Sequence, residues 1–439
     1  MKKTTAVSSG SRVKKNEAFP PIIFPEGFLW GSASSAFQVE GECLTHDFYD
    51  WALKGRIKDG TNPKDAVFFW KNYKSDISLM KKMNHSAVRI GIEWARIEPE
   101  EGHFDEKAIA VYRDMLKTMR KAKIAPMVTL HHFSNPMWLV TKGGWKNRDV
   151  IDSFARFVEK IVPALGDLVD IWITINEPNI YASHAYFMGS FPPGEKNLFS
   201  MLKVQKNMAL AHVKAYHLIH SIHTSKGFDR AKVGVAHHLR TFDPARPSSP
   251  LDRFSAFLCR KIFNDGFLST INRDGITFDI FGINYYSGDL VSFPLMMKGR
   301  SELRKNKLGW DIYPEGLCRV IMEYWKRYKL PVYITENGTC DDNDELRPEY
   351  ILDHLYQVNR AIAQGADVAG FYHWSTIDNF ELVDGLMSRF GLIHVDHNSS
   401  RRKRKIKKSG ELYAAVSKEN AITPEITKKF LPHWKPLQQ

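Results

Sequence analysis

The amino-acid sequence predicts an α/β fold, a single (β/α)8 TIM barrel, on three observations. Eight short apolar runs recur along the 439 residues, most of them continuous and rich in β-branched side chains. That is the pattern of parallel strands buried on both faces. Amphipathic stretches fill the intervals between the runs. Each run also ends on polar residues, and a (β/α)8 barrel gathers its strand ends on one rim. An open doubly wound sheet shares the alternation, but no glycine-rich phosphate loop follows the first run.

The runs are FLWGSASSAFQ from Phe28, AVRIGIEW from Ala87, APMVTLHHF from Ala125 and IWITINEP from Ile171. The second half supplies KVGVAHHL from Lys232, DIFGINYY from Asp279, PVYITENG from Pro331 and VAGFYHWS from Val368. Between them, residues 71–83 place Tyr73, Ile77, Met80 and Met83 at helical spacing, and residues 106–121 do the same with Ile109, Tyr112, Leu116 and Met119. Similar stretches lie near 150–165, 198–222, 316–328 and 349–363. Residues 1–18 are polar, basic and Ser-rich and read as a flexible tail; residues 19–439 read as the barrel.

Composition excludes several classes. Hydrophobic residues make up 43% and charged residues 25%, which argues against wholesale disorder. No apolar run approaches the ~18 residues of a membrane span. The basic N-terminus has no apolar segment behind it, so a cytoplasmic protein is expected. Cys43, Cys259, Cys318 and Cys340 are scattered and read as reduced thiols. Lys and Arg number 62 against 49 acids, a net charge of +13. Part of the excess is local, in RRKRKIKK at 401–408. No aromatic residue interleaves there, so a solvated loop is preferred to a nucleic-acid site.

Chemistry collects at the run ends. They carry Gln38 with Glu40, Arg89 with Glu93, His131 with His132, and Asn176 with Glu177. The later four carry His237 with His238, Asn284 with Tyr286, Glu336 with Asn337, and His373 with Trp374. Polar groups converging on one rim need a ligand or each other. Glu177 and Glu336 end runs four and seven, which a barrel of eight sets across its mouth. Paired carboxylates with separate protonation states are what glycosidic bond cleavage needs; structural ion pairs, for instance with Arg89, are the plainer reading. Adjacent histidines on a strand face opposite ways, so neither His pair reads as a metal site. Asp341, Asp342 and Asp344 lack the rest of a calcium loop and read as solvated.

The ordered series PEGFLWGSASSAFQVEG, VRIGIEWARIEP, TLHHFSNPMWL, TINEPN, FGINYYS, GWDIYPEGL, YITENG and WSTIDNFELVDG resembles glycoside hydrolase family one, the β-glucosidase and β-galactosidase family. The resemblance runs from about Phe24 to the C-terminus. It implies a retaining exo-β-glycosidase acting on terminal glucose, galactose or fucose, with Glu177 as general acid/base and Glu336 as nucleophile. Gln38, His132, Asn176 and Glu381 match sugar-binding positions, with Glu381 expected to be ionised. Trp374 matches the floor under the sugar ring and Trp310 a wall of the aglycone site. Tyr286, Asn284 and Arg89 match groups around the two carboxylates. The resemblance implies no cofactor or metal, and β-linked glycosides or short oligosaccharides as partners. With no spanning run, and no aromatic residue in the basic stretch, neither membrane nor nucleic acid is expected as a partner.

Three departures bear on specificity. Leu382 follows Glu381, and Phe133 follows His132, where the family usually has Trp. Glu336 lies 159 positions after Glu177, which implies trimmed middle loops and an open aglycone site. Lys407-Lys408-Ser409 fits the lysine-rich segment before the family's last helix. A 6-phospho-β-glycosidase is the nearest rival, but those relatives replace the Glu381 position with a smaller residue. A non-catalytic sugar-binding relative would lose one carboxylate, and a thioglucosidase would carry Gln at the position of Glu177. Transglycosylation stays open, because sugars compete with water for the same intermediate.

Overall fold

The structure, a computed structural model, describes residues 19–64 and 66–436. The tail expected over 1–18 lies outside them. Eight strands close into a parallel barrel. They are β1 (Leu29–Ala33), β2 (Ala87–Gly91), β3 (Ala125–His131) and β4 (Ile171–Asn176). Then follow β5 (Lys232–His238), β6 (Phe281–Asn284), β7 (Val332–Asn337) and β8 (Val368–Trp374). Each strand pairs with the next, and β8 returns to β1 with Trp374 opposite Ala33. All eight expected runs hold one barrel strand. The first run holds more, because its second half, Ala36–Val39, turns into a helix. Gln38 therefore stands on that helical turn and not on the strand end.

Burial explains why the runs are continuous. All six residues of β4 are buried, since its faces meet the barrel interior and the helical layer. The helices that cover the barrel lie where periodicity puts them. In Glu106–Lys121, Ile109, Tyr112, Leu116 and Met119 are buried together with Met115, and Asp105 caps the first turn by accepting from the amides of Lys107 and Ala108. Burying each such side chain stabilises the fold by about 1.5–3 kcal/mol. The longest, Leu198–Lys226, ends at Gly227, whose φ of 66° is left-handed.

At the rim, β7 and β8 approach very closely. A Cβ on Gly338 would lie 1.7 Å from the Trp374 carbonyl oxygen, so only glycine lets Glu336 and Trp374 sit on adjoining walls.

A small layer was not foreseen. Thr241–Pro244, Gly288–Ser292 and Met296–Lys298 form a three-stranded sheet beyond β5 and β6. The helix Pro250–Phe263 packs on it through Ala256, Cys259 and Phe263.

Two surface expectations are corrected. The basic run is not simply solvated. Arg404 pairs with the buried Asp76 at 3.0 Å, and Lys407 with the buried Asp378 at 2.7 Å. The acidic loop is tied in as well. Asp341 accepts from the amides of Leu346 and Arg347, and Asp344 from Ser409 and Arg347. The four cysteines are unbridged. Among the described residues, no helix is long and apolar enough to cross a membrane.

Candidate active site

The C-terminal ends of the strands surround a cavity of about 380 Å³. Gln38, His132, Glu177, Tyr286, Trp310, Glu336, Trp374 and Glu381 all line it. Strand alternation sorts the run ends. Where two polar residues stand together, one faces the cavity and the other packs outward. His131 turns to Asn135 and Trp145, His237 to the carbonyl of Asn264, Asn337 to Tyr285 and Tyr350, and His373 to the carbonyl of Phe390. Glu40 accepts from Arg96 and Tyr112, and Glu93 from Ser134, both away from the cavity.

The two glutamates have unlike neighbours. Glu336 accepts from Arg89 Nη1 at 2.5 Å and from the Tyr286 hydroxyl at 2.6 Å. Glu177 Oε1 accepts from Asn284 Nδ2 at 2.9 Å and lies 3.0 Å from His238 Nδ1. Glu177 starts a helical turn after β4 with φ 42°, a left-handed conformation ahead of Pro178. Holding a non-glycine residue there costs of order 1–3 kcal/mol, and the buried amide bond to the Ala236 carbonyl helps to fix it.

A hydrogen-bond chain under the cavity joins the two. Arg89 Nη2 donates to Asn176 Oδ1 at 2.6 Å, and Asn284 Nδ2 donates both to that oxygen and to Glu177. Asn176 is fully buried in this chain. Its amide faces His132 Nε2 at 3.0 Å and orients that ring.

Electrostatics separates the carboxyls further. Burial pushes Glu336 up to about 7, with Glu177 adding to it and Arg89 and Tyr286 opposing. Burial also raises Glu177, but the charge of His238, its hydrogen bond and that of Asn284 outweigh it and hold the carboxyl below its ordinary value. Burial pushes Glu381 up to about 8, and Asp384, Glu336 and Glu177 add to this against the Trp374 indole. This push upward opposes the ionised form expected of Glu381.

The remaining walls suit a polar ring. Gln38 donates to Asn379, while its Oε1 and His132 Nδ1 are buried with no hydrogen-bond partner among the described residues. Such atoms call for a ligand's hydroxyls. His132 stacks on Trp374 at 5.6 Å, and Trp310 meets Tyr286 edge-on at the outer wall. Phe133 and Leu382 line the cavity where an indole donor was missed in the sequence. The sequence alone gives His238 no tie to Glu177. Its contact with Glu177 crosses between neighbouring strands β4 and β5, and pairing of strand ends is the one signal that points to it.

Glycosidic bonds are cut by carboxyl pairs held in unlike settings, and the cavity is equipped for that chemistry; fold and site together define a glycoside hydrolase. The profile of "Glycosyl hydrolase family 1" matches residues 21–276 and 276–422. A 1,4-beta-D-glucan glucohydrolase of Thermotoga neapolitana is 32% identical, covering 91% of this chain and 99% of its own. A beta-glycosidase structure from Pyrococcus horikoshii superposes with a TM-score of 0.86 at 33% identity, over 94% of this chain and 99% of that one. The Thermotoga maritima beta-glucosidase in complex with deoxynojirimycin gives 0.86 at 30% identity, over 91% and 99%. The chain belongs to glycosyl hydrolase family 1 and is a retaining β-glycosidase.

Proposed function

We propose that Glu336 is the nucleophile and Glu177 the general acid/base of a β-glucosidase-type exo-glycosidase. The observation that carries this is the difference in partners. Glu336 holds a guanidinium, whose charge is fixed. Glu177 instead meets the Asn284 amide and the His238 ring and has no guanidinium beside it. The reaction requires Glu336 ionised for attack and Glu177 carrying the proton that the leaving oxygen receives.

Glu336 then attacks the anomeric carbon, the bond to the leaving oxygen breaks, and Glu177 gives that oxygen its proton. Water enters, Glu177 takes its proton, and the oxygen displaces Glu336 from the same carbon. Tyr286 and Arg89 keep the Glu336 carboxylate aimed during attack. Trp374 supports the ring, while Gln38, His132 and Glu381 hydrogen-bond its hydroxyls. The scheme uses no metal or cofactor. The four unbridged thiols support a reducing, cytoplasmic setting.

The relatives' names and the cavity-lining Glu381 support unphosphorylated glucose, galactose or fucose as the glycone. Leu382 supplies no donor, and one lost neutral hydrogen bond costs about 0.5–1.5 kcal/mol. Discrimination among the three sugars is therefore modest. A panel of nitrophenyl β-glycosides tests this: glucoside, galactoside and fucoside should fall within about tenfold in kcat/KM. A preference for the 6-phosphoglucoside would contradict it.

A further inference from the structure

We propose that the apolar, basic rim around the cavity mouth docks the enzyme on an anionic lipid bilayer, with the mouth facing the membrane. Three segments build the rim, following β4, β5 and β6 at the end of the barrel where the cavity opens. In the first, Phe199 is 81% exposed, with Leu198 and Leu202 beside it and Phe187 and Met188 just before. Met188 also lines the cavity, as does the half-exposed Trp310, so the apolar surface continues into the mouth.

The second segment is the helix Pro250–Phe263. One face already packs on the small sheet. The opposite face presents Leu251, Phe254, Phe257 and Ile262 to solvent, with Phe254 58% exposed. A surface helix ordinarily turns polar residues outward. The third segment is the hairpin tip, where Phe293, Leu295, Met296 and Met297 stand exposed in succession. Clustered exposed apolar side chains of this kind mark interaction sites.

Charge identifies the partner. The segments 187–206, 250–263 and 288–300 contain eight Lys or Arg against three acids, Glu195, Asp252 and Asp289, each paired with a base outside the segments, Lys146, Arg246 and Arg240. Arg260 and Lys261 are paired with Glu323 and Asp265, and Arg300 with Asp243. Lys203, Lys206, Arg253 and Lys298 are exposed among the apolar side chains. Aromatic and apolar groups that enter a headgroup region, with basic residues beside them, are the make-up of an interfacial membrane contact. Each basic residue near an anionic leaflet adds about fivefold to binding. The sequence-based expectation of no membrane partner rested on the lack of a spanning segment, and a surface contact needs none. Docking does not depend on the catalytic roles assigned above.

The test is flotation of the full chain with vesicles of phosphatidylcholine alone or mixed with phosphatidylserine, at low and high salt. The protein should float with the mixed vesicles at low salt and be released as salt rises. A triple variant, Phe199→Glu with Phe254→Glu and Met296→Glu, should lose at least about tenfold in partitioning. It should keep its turnover of a soluble nitrophenyl β-glucoside within about twofold, since none of the three lines the cavity. If that variant does not fold, Lys203→Glu with Arg253→Glu should abolish the salt-sensitive part of binding. Absence of flotation at low salt, or equal flotation of wild type and variants, overturns the proposal. Loss of a concentration-dependent dimer in the triple variant, without vesicle binding, would assign the surface to a second copy of the chain and overturn it too.

Discussion

Glu336 and Glu177 face one cavity and are both buried, yet their surroundings differ in kind. Around Glu336 the donors are Arg89 and Tyr286. Around Glu177 they are Asn284 and His238. A fixed cation suits a group that must stay ionised to attack. An amide and an imidazole, with no guanidinium, suit a group that must gain and release a proton. One fold thus runs nucleophile and acid chemistry with the same side-chain type by choosing neighbours.

The largest expected effect removes one side of this contrast. Glu336→Gly should lower kcat on every aryl glycoside by about 10⁵-fold or more, as loss of a covalent nucleophile does. Next, Glu177→Gln should cost about 10²–10⁴-fold with a poor leaving group and much less with an activated one such as dinitrophenol. Steady-state kinetics over a leaving-group series checks both. Equal sensitivity of the two variants would erase the distinction between the carboxyls.

Removing the fixed cation comes third. Arg89→Met leaves Glu336 buried beside no guanidinium, and breaking a buried pair costs about 3–5 kcal/mol. Thermal unfolding should report the loss. Arg89 lowers the Glu336 carboxyl, so its removal raises it further. The acid limb of kcat/KM, where Glu336 must shed its proton, should therefore move to higher pH. The smallest effect concerns His238. His238→Asn keeps a donor beside Glu177 but removes the charge that lowers it. The Glu177 carboxyl should rise, and the basic limb, where the acid proton is lost, should move to higher pH while kcat changes by less than about tenfold. An unmoved limb would reduce His238 to packing.

Much of this was legible because β1–β8 are buried on both faces, and continuous apolar runs record that directly. The site was legible for a related reason. Alternation at a strand end puts one of two polar neighbours inward, so His132, His238 and Trp374 fall on the cavity. What escaped depends on contacts the pattern does not carry. The break after Ala33 that lifts Gln38 onto a helical turn has no proline or glycine to mark it. The hydrogen bonds that tie Asn176 to Arg89 and Asn284, and through them to both carboxyls, are contacts between strands that no run records. The basic run is held by Asp76 and Asp378, partners that only the closed barrel brings near. The upward push on the Glu381 carboxyl comes from burial beside three other acids, which no local sequence feature reports.

The assignment of roles is tested most directly by azide rescue of Glu336→Gly and Glu177→Ala, with the product's anomeric configuration read by proton NMR. In Glu336→Gly, azide takes the place of the missing carboxylate and attacks from its side, so the product should be the α-glycosyl azide. In Glu177→Ala, azide replaces water in the second displacement from Glu336, so the product should be the β-glycosyl azide. The opposite pairing of variant and configuration would contradict the account.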